Sequence, residues 1–248
     1  MRKLNKLLTS TLAALALSTA SVQADSSGWS VGVIQNFADF TTIGQENEPG
    51  KIVLSASATN NETTKATHSK SVEFPSIFLE YSGRPDSGSP LALTFGVSYI
   101  PGEASIGSKS RTDTAATVGA DANSDGTYTA KAELSNHLSI YLEPTLMMGN
   151  DVFGFYGKLG ASGAQVKTLE SLAVGTAGDS STYDDAMVFG GTVGAGVKAV
   201  FGNGILIKGE WTDTQYNEVE LRSPTGNQNT IIATPEVQMF RVSLGYNF

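Results

Sequence analysis

Two stretches of this sequence carry residues of the right types, at usable spacings, for chemistry. His137, Ser139 and Glu143 share one parity of an alternating segment, and a His, a Ser and a Glu can supply a base, a nucleophile and an orienting carboxylate. Asp121, Asn123, Asp125 and Thr127 alternate around Gly126 in a D-x-N-x-D-G run. Oxygen ligands at alternating positions, a Gly that lets the chain curl and the Thr127 carbonyl suit a hard cation such as calcium. The final position of such a loop is Ala132 instead of a bidentate Glu, and Asp, Asn and Gly are equally the residues of an ordinary turn. A weak calcium site and an Asx-rich turn both stay open. The sequence has no His/Cys cluster spaced for zinc, no glycine-rich phosphate loop and no other cofactor pattern.

The elements that would position these residues follow from periodicity. In 90–101, Leu91, Leu93, Phe95, Val97 and Tyr99 alternate with Ala92, Thr94, Gly96 and Ser98, a period-2 pattern that a helix would scramble. The C-terminus repeats it, with Phe240, Val242, Leu244, Tyr246 and Phe248 against Met239, Arg241, Ser243, Gly245 and Asn247. Six more strands are predicted at 29–40, 72–83, 128–148, 152–167, 186–201 and 204–215. Polar stretches at 41–71, 102–127, 168–185 and 216–234 alternate with short links at 84–89, 149–151 and 202–203, the order of an outer-membrane barrel. The long stretches read as exposed, mobile chain except where strands extend beyond the membrane.

Residues 1–6 carry Arg2, Lys3 and Lys6, 7–20 is uncharged and mostly apolar, and Val22-Gln23-Ala24 offers a cleavage site. That is a signal peptide over 1–24 ahead of one domain at 25–248. After Ala24 no apolar run is long enough for a spanning helix, so a closed barrel is the remaining way to cross a membrane. With 24 acidic against 16 basic residues, three of the latter in the leader, the exported chain is strongly acidic. Its field repels phosphate backbones, which excludes nucleic acid as a partner. The fold class is thus all-β: an eight-stranded antiparallel transmembrane β-barrel with four long extracellular loops and three short periplasmic turns.

If the apolar faces meet lipid, the opposite faces bring Glu80, Lys131, Glu133, His137, Glu143, Lys158, Lys198, Lys208, Glu210 and Arg241 into one small volume. Such groups must pair or stay hydrated. Eight strands enclose just enough room for side chains, so the set reads as an ion-pair core, with a narrow gated pore as the alternative.

The chain resembles the small outer-membrane β-barrel family that includes opacity-type surface proteins and the transmembrane domain of OmpA-type proteins. The resemblance rests on Phe155-Tyr156-Gly157-Lys158-Leu159-Gly160, on Gly191-Thr192-Val193-Gly194-Ala195-Gly196-Val197 and on the ending Phe240-Arg241-Val242-Ser243-Leu244-Gly245-Tyr246-Asn247-Phe248. It implies a bacterial outer-membrane location among lipid and lipopolysaccharide. It also implies recognition of Phe240, Leu244, Tyr246 and Phe248 by the barrel-assembly machinery, and loops available to an extracellular ligand. His137-Leu138-Ser139 is similar to the His-x-Ser element of outer-membrane lipid A deacylases, although here both residues are predicted to face the lumen, away from acyl chains. The expected role is a non-enzymatic surface or envelope-structural protein, in adhesion or another surface interaction; a narrow pore or a lipid-modifying enzyme is the alternative.

Overall fold

The computed structural model describes residues 27–52, 59–86, 88–113, 126–148, 151–172, 185–222 and 230–248. The leader expected at 1–24 and the candidate calcium ligands Asp121, Asn123 and Asp125 lie outside these residues; Thr127 stands in a strand opposite Thr112. The strands are β1 (Gly28–Ile52), β2 (Thr59–Gly83), β3 (Leu91–Asp113), β4 (Gly126–Met148), β5 (Phe153–Leu172), β6 (Ala186–Val200), β7 (Ile205–Tyr216), β8 (Val219–Arg222) and β9 (Thr230–Asn247). From β1 to β7 each pairs antiparallel with the next, β7 and β8 both pair with β9, and β9 pairs with β1, so the sheet closes. The short β8 continues β7 along β9 after a break at Asn217 and Glu218. The barrel therefore has eight strands.

Strand runs further than the periodicity indicated. Much of the stretch expected as loop at 41–71 is a β1–β2 hairpin that stays paired as far as Ile52 and Thr59, and β3–β4 stays paired as far as Asp113 and Gly126. Extending a formed ladder satisfies further peptide groups, and Thr41, Thr42, Ile43, Thr63, Thr64 and Thr67 have the β-branched side chains that suit it. Polarity disguised these strands as loops.

One register feature alters which residues reach the interior. Asn136 adopts φ 51°, and the β4–β5 register shifts between Ser135 and Leu138. This bulge reverses the parity of β4, because an extra residue on one strand turns every side chain beyond it to the other face. Downstream, His137, Tyr141 and Glu143 are buried inside; upstream, Leu134 is buried, Lys131 is exposed and Glu133 is half-buried. The expectation that Lys131 and Glu133 join the interior network is therefore corrected. Glu133 pairs in register with Lys167, whose ammonium meets Glu103 at 2.6 Å near the hairpin end.

The interior is layered. Toward the turns, Ile34, Phe78, Val200 and Leu206 form a small apolar cluster. Phe78 fits because Gly32 and Gly245 offer no side chain: a Cβ on Gly245 would stand 2.7 Å from its ring. Toward the hairpins, Phe40, Phe74, Leu134, Val166, Tyr216 and Met239 belong to a larger apolar plug. The charged groups lie on the turn side of this plug and beside the smaller cluster, with Lys208 Nζ 5.7 Å from the centroid of the Phe78 ring. Outside, a belt of Leu, Val, Ile and aromatic side chains is exposed, with Trp29 against Tyr81 at one rim and Phe37 beside Phe240 at the other. Apolar outside and aromatic at both rims is the pattern a bilayer selects.

Asn136 is one of the few residue types that tolerate a left-handed conformation, and its side chain is tied to Gln165 at 2.9 Å. Asn136→Gly is expected to fold normally. Deleting Asn136 would turn Lys131 and Glu133 inward or push His137 and Glu143 outward, so the refolded fraction should collapse, as read by the gel-mobility shift between folded and unfolded barrel. Equal refolding of the deletion variant would refute this account of β4.

Candidate functional site

Glu80, His137, Glu143, Lys158, Lys198, Lys208, Glu210 and Arg241 all point into the barrel and are buried. They come from β2, β4, β5, β6, β7 and β9, so the β-strand period of two delivers them and closure brings them together. Their contacts form a ladder across the lumen. Lys208 Nζ meets Glu80 at 2.9 Å and Glu143 at 2.7 Å. Lys158 Nζ lies 3.2 Å from Glu143 and 2.8 Å from Glu210. Arg241 donates to Glu210 at 2.7 Å and, through Nε, to Asn36 Oδ1 at 2.9 Å. Asn36 in turn donates to Ser76 and to the Phe74 carbonyl.

Tyr141 and Tyr156 complete the ladder and were absent from the charged set read from sequence. Tyr141 donates to Glu80 and Tyr156 to Glu210, while the Lys158 ammonium sits 3.9 Å from the centroid of the Tyr141 ring. The rings lie over Gly96 and Gly196, where any side chain would collide with them. Both Tyr residues have the parity of the interior face, so that signal was present; only a filter for formal charge left them out.

Every carboxylate in this layer has at least one cation at hydrogen-bond distance. Lys198 differs: it donates to the Thr94 hydroxyl at 3.1 Å, and Thr94 continues to Ser82. A cavity of about 10 Å³ beside Tyr141, Lys158 and Arg241 is roughly the size of one water.

The His-Ser-Glu set does not assemble. His137 Nε2 is 2.8 Å from the Tyr216 hydroxyl, Ser139 pairs with Ser162 at 2.8 Å, and Glu143 is engaged by Lys208 and Lys158. Each of the three has its own partner, and His137 is sealed from lipid. Among the described residues no group of three or more His, Cys, Asp or Glu is arranged to hold a metal. Phe240, Leu244, Tyr246 and Phe248 lie along the outer face of β9 and beyond it. Phe248 exchanges backbone hydrogen bonds with Trp29 at 2.8 and 3.1 Å, so the last residue closes the barrel at the turn end.

Residues 10–248 match the family described as outer membrane protein beta-barrel domain. Among solved structures, the chain is similar to the outer membrane protein OprG from Pseudomonas aeruginosa (14% identity, TM-score 0.40, covering 92% of this chain and 100% of that one). It is also similar to Ail, the attachment invasion locus protein of Yersinia pestis (11%, 0.33, 87% and 99%), and to the outer membrane protease OmpT from Escherichia coli (9%, 0.39, 93% and 99%). No curated protein matches.

Breaking a buried ion pair by removing one partner typically costs about 3–5 kcal/mol, because it strands a buried charge. Glu210→Ala leaves Arg241 without a carboxylate and Lys158 with Glu143 alone, and is expected to lose about that much. Glu133→Ala on the outer face should stay within about 0.5 kcal/mol of the parent. Lys198→Met removes a buried cation that has only a hydroxyl partner, and should cost clearly less than Glu210→Ala. Denaturant midpoints in detergent micelles check all three, and similar losses for Glu210→Ala and Glu133→Ala would refute the assignment.

Proposed function

Because the chain belongs to the outer membrane protein beta-barrel domain family, we propose that it is a non-enzymatic outer-membrane surface protein that holds β-hairpins and loops outside the cell for a surface interaction. The observation that carries this reading is the Glu80–Lys208–Glu143–Lys158–Glu210–Arg241 ladder. It fills the lumen with fixed charge pairs and commits them to holding the wall together, which argues against solute passage and leaves the hairpin end as the part of the molecule free to act. A rigid scaffold bearing exposed connections is a common plan for binding proteins.

In this reading the short links at 84–89, 149–151 and 202–203 face the periplasm. The connections at 41–71, 102–127, 168–185 and 216–234 face outward, as family architecture favours. Residues 1–24 act as the export leader. The outer face of β9, ending in Phe248, serves as the signal read by the assembly machinery, and lipid and lipopolysaccharide cover the apolar belt. A weak calcium site at Asp121, Asn123, Asp125 and Thr127 remains a separate proposal; saturable calcium binding lost in an Asp121→Ala/Asp125→Ala double variant would establish it.

Proteinase added to intact cells is expected to cut within 41–71, 102–127, 168–185 or 216–234 and to spare the belt strands. Cutting at 84–89 instead would invert the orientation. In planar bilayers the protein should give no steady ion conductance; a sustained open state would replace display with permeation.

A further inference from the structure

The outer face of the barrel changes chemistry in a single step where β7, β9, β1 and β2 run side by side. Register sets Trp211, Phe240, Phe37 and Glu73 in one row across these strands. Two residues further toward the hairpin ends, Asp213, Gln238, Asp39 and Ser71 form the next row, and Gln215, Glu236, Thr41 and Ser69 the one after. The β-strand period of two turns all of them outward. Between the first two rows lies a groove of about 340 Å³, with Phe37, Trp211 and Phe240 on its apolar side and Asp39, Glu73 and Gln238 on its polar side. All six of these side chains are exposed.

Four carboxylates, those of Asp39, Glu73, Asp213 and Glu236, stand in these rows, and no Lys, Arg or His shares them. At the same levels β6 adds Ala195, Val193 and Gly191, none of them a cation. Lys70 of β2 has the opposite parity and turns to Ser105 of β3 at 3.3 Å. The rows' own donors are few. Ser71 donates to Asp39, and Gln238 Nε2 divides between Asp213 at 3.1 Å and Glu236 at 3.3 Å. Glu73 has no hydrogen-bond or ion-pair partner among the described residues, and Asp213 Oδ1 is shielded from solvent without a donor. The carboxylates are spread along the rows, in no group of three arranged to hold a metal.

An aromatic wall beside carboxylates that lack cations suits one ligand group, an ammonium. The face of an indole or phenyl ring attracts its charge, and its N–H groups supply the donors that the rows lack. Position adds a second requirement. The aromatic row is the last of the apolar belt on these strands and the next row is polar, so the groove straddles the level where acyl chains give way to head groups. We propose that this groove seats the head group of one membrane lipid that carries a primary ammonium, with its acyl chain lying along the belt past Phe240 and Val242. The volume is near the lower end of small-ligand pockets, about 300–1,000 Å³, which fits a head group and not a folded partner. An anionic head without an ammonium is repelled by the carboxylates. The proposal rests on the membrane location in the proposed function and not on which end faces outward, because a reversed topology would place the same lipid in the other leaflet. A failed proteinase assay and a failed titration are therefore separate results.

The test uses the full protein in uncharged maltoside micelles, with Trp29→Phe so that Trp211 is the sole indole. Dodecylammonium, added at a low fraction of the detergent, should shift Trp211 emission saturably. Amide resonances of 37–39, 71–73 and 238–240 in the unaltered protein should move with the same midpoint. The Asp39→Asn/Glu73→Gln double variant, which removes two charges and keeps the side-chain shapes on an exposed face, should weaken the response about tenfold or more. Dodecyltrimethylammonium, which has the charge but no N–H, should bind more weakly than dodecylammonium. Equal responses of the double variant and the parent, or a saturable response to dodecyl phosphate, would overturn the proposal by reducing the effect to partition into the micelle. Equal binding of the trimethyl head would overturn it in favour of charge attraction alone. Magnesium that binds saturably and displaces dodecylammonium would overturn it by giving the carboxylates to a metal ion. If the double variant fails to fold, the comparison of the two ammonium heads on the parent still decides.

Discussion

In hydrocarbon, a peptide group without a hydrogen-bond partner costs several kcal/mol, and no water is present to relieve it. The β1–β9 ladder, from Ser30↔Asn247 to Asn47↔Thr230, removes the last pair of edges from a sheet that would otherwise expose them. Its hold extends to the final residue, where Phe248 and Trp29 exchange backbone bonds. Closure at eight strands then fixes the width of the interior, and that width decides what the interior can contain.

Charged groups in so narrow a space must compensate one another. Lys208 lies between Glu80 and Glu143, Lys158 between Glu143 and Glu210, and Arg241 reaches Glu210 and Asn36. Because each carboxylate serves more than one donor or strand, the pairs act as cross-braces between walls that share no backbone ladder, such as β2 with β7 and β5 with β7. Apolar clusters beside and beyond them keep water from competing with these pairs. The same side chains that brace the wall also occupy the lumen, so one set of contacts does both.

The barrel was legible in the sequence because lipid outside and polar contacts inside impose opposite demands on alternate residues. Leu91 to Tyr99 and Phe240 to Phe248 display that alternation directly. Lys131 and Glu133 were misplaced because parity carries only as far as the next bulge, and the bulge at Asn136 looks in sequence like one more polar residue on an alternating strand. The long hairpins were hidden for a related reason. Beyond the membrane neither face of a strand need be apolar, so Thr59 to Ser69 reads as loop although its backbone is paired. The alignment of Pro75 with Pro101, each two residues beyond the last β2–β3 pair at Ile77↔Tyr99, was invisible for want of register, since two strands must be laid side by side before their prolines can be seen to coincide.

That coincidence follows from where closure is obligatory and where it is not. Across the belt, Pro144 sits in β4 opposite Leu93 of β3, and the β4–β5 ladder passes over it, from Leu142↔Leu159 to Thr145↔Tyr156, without coming apart. Strands on both sides hold the break together, and lipid forbids it to spread. Above Ile77 and Tyr99 the constraint lapses, because water can satisfy a free edge at little cost. Pro75 and Pro101 then suffice to end the β2–β3 ladder at Ile77↔Tyr99, while β1 and β4 hold the outer sides of both strands.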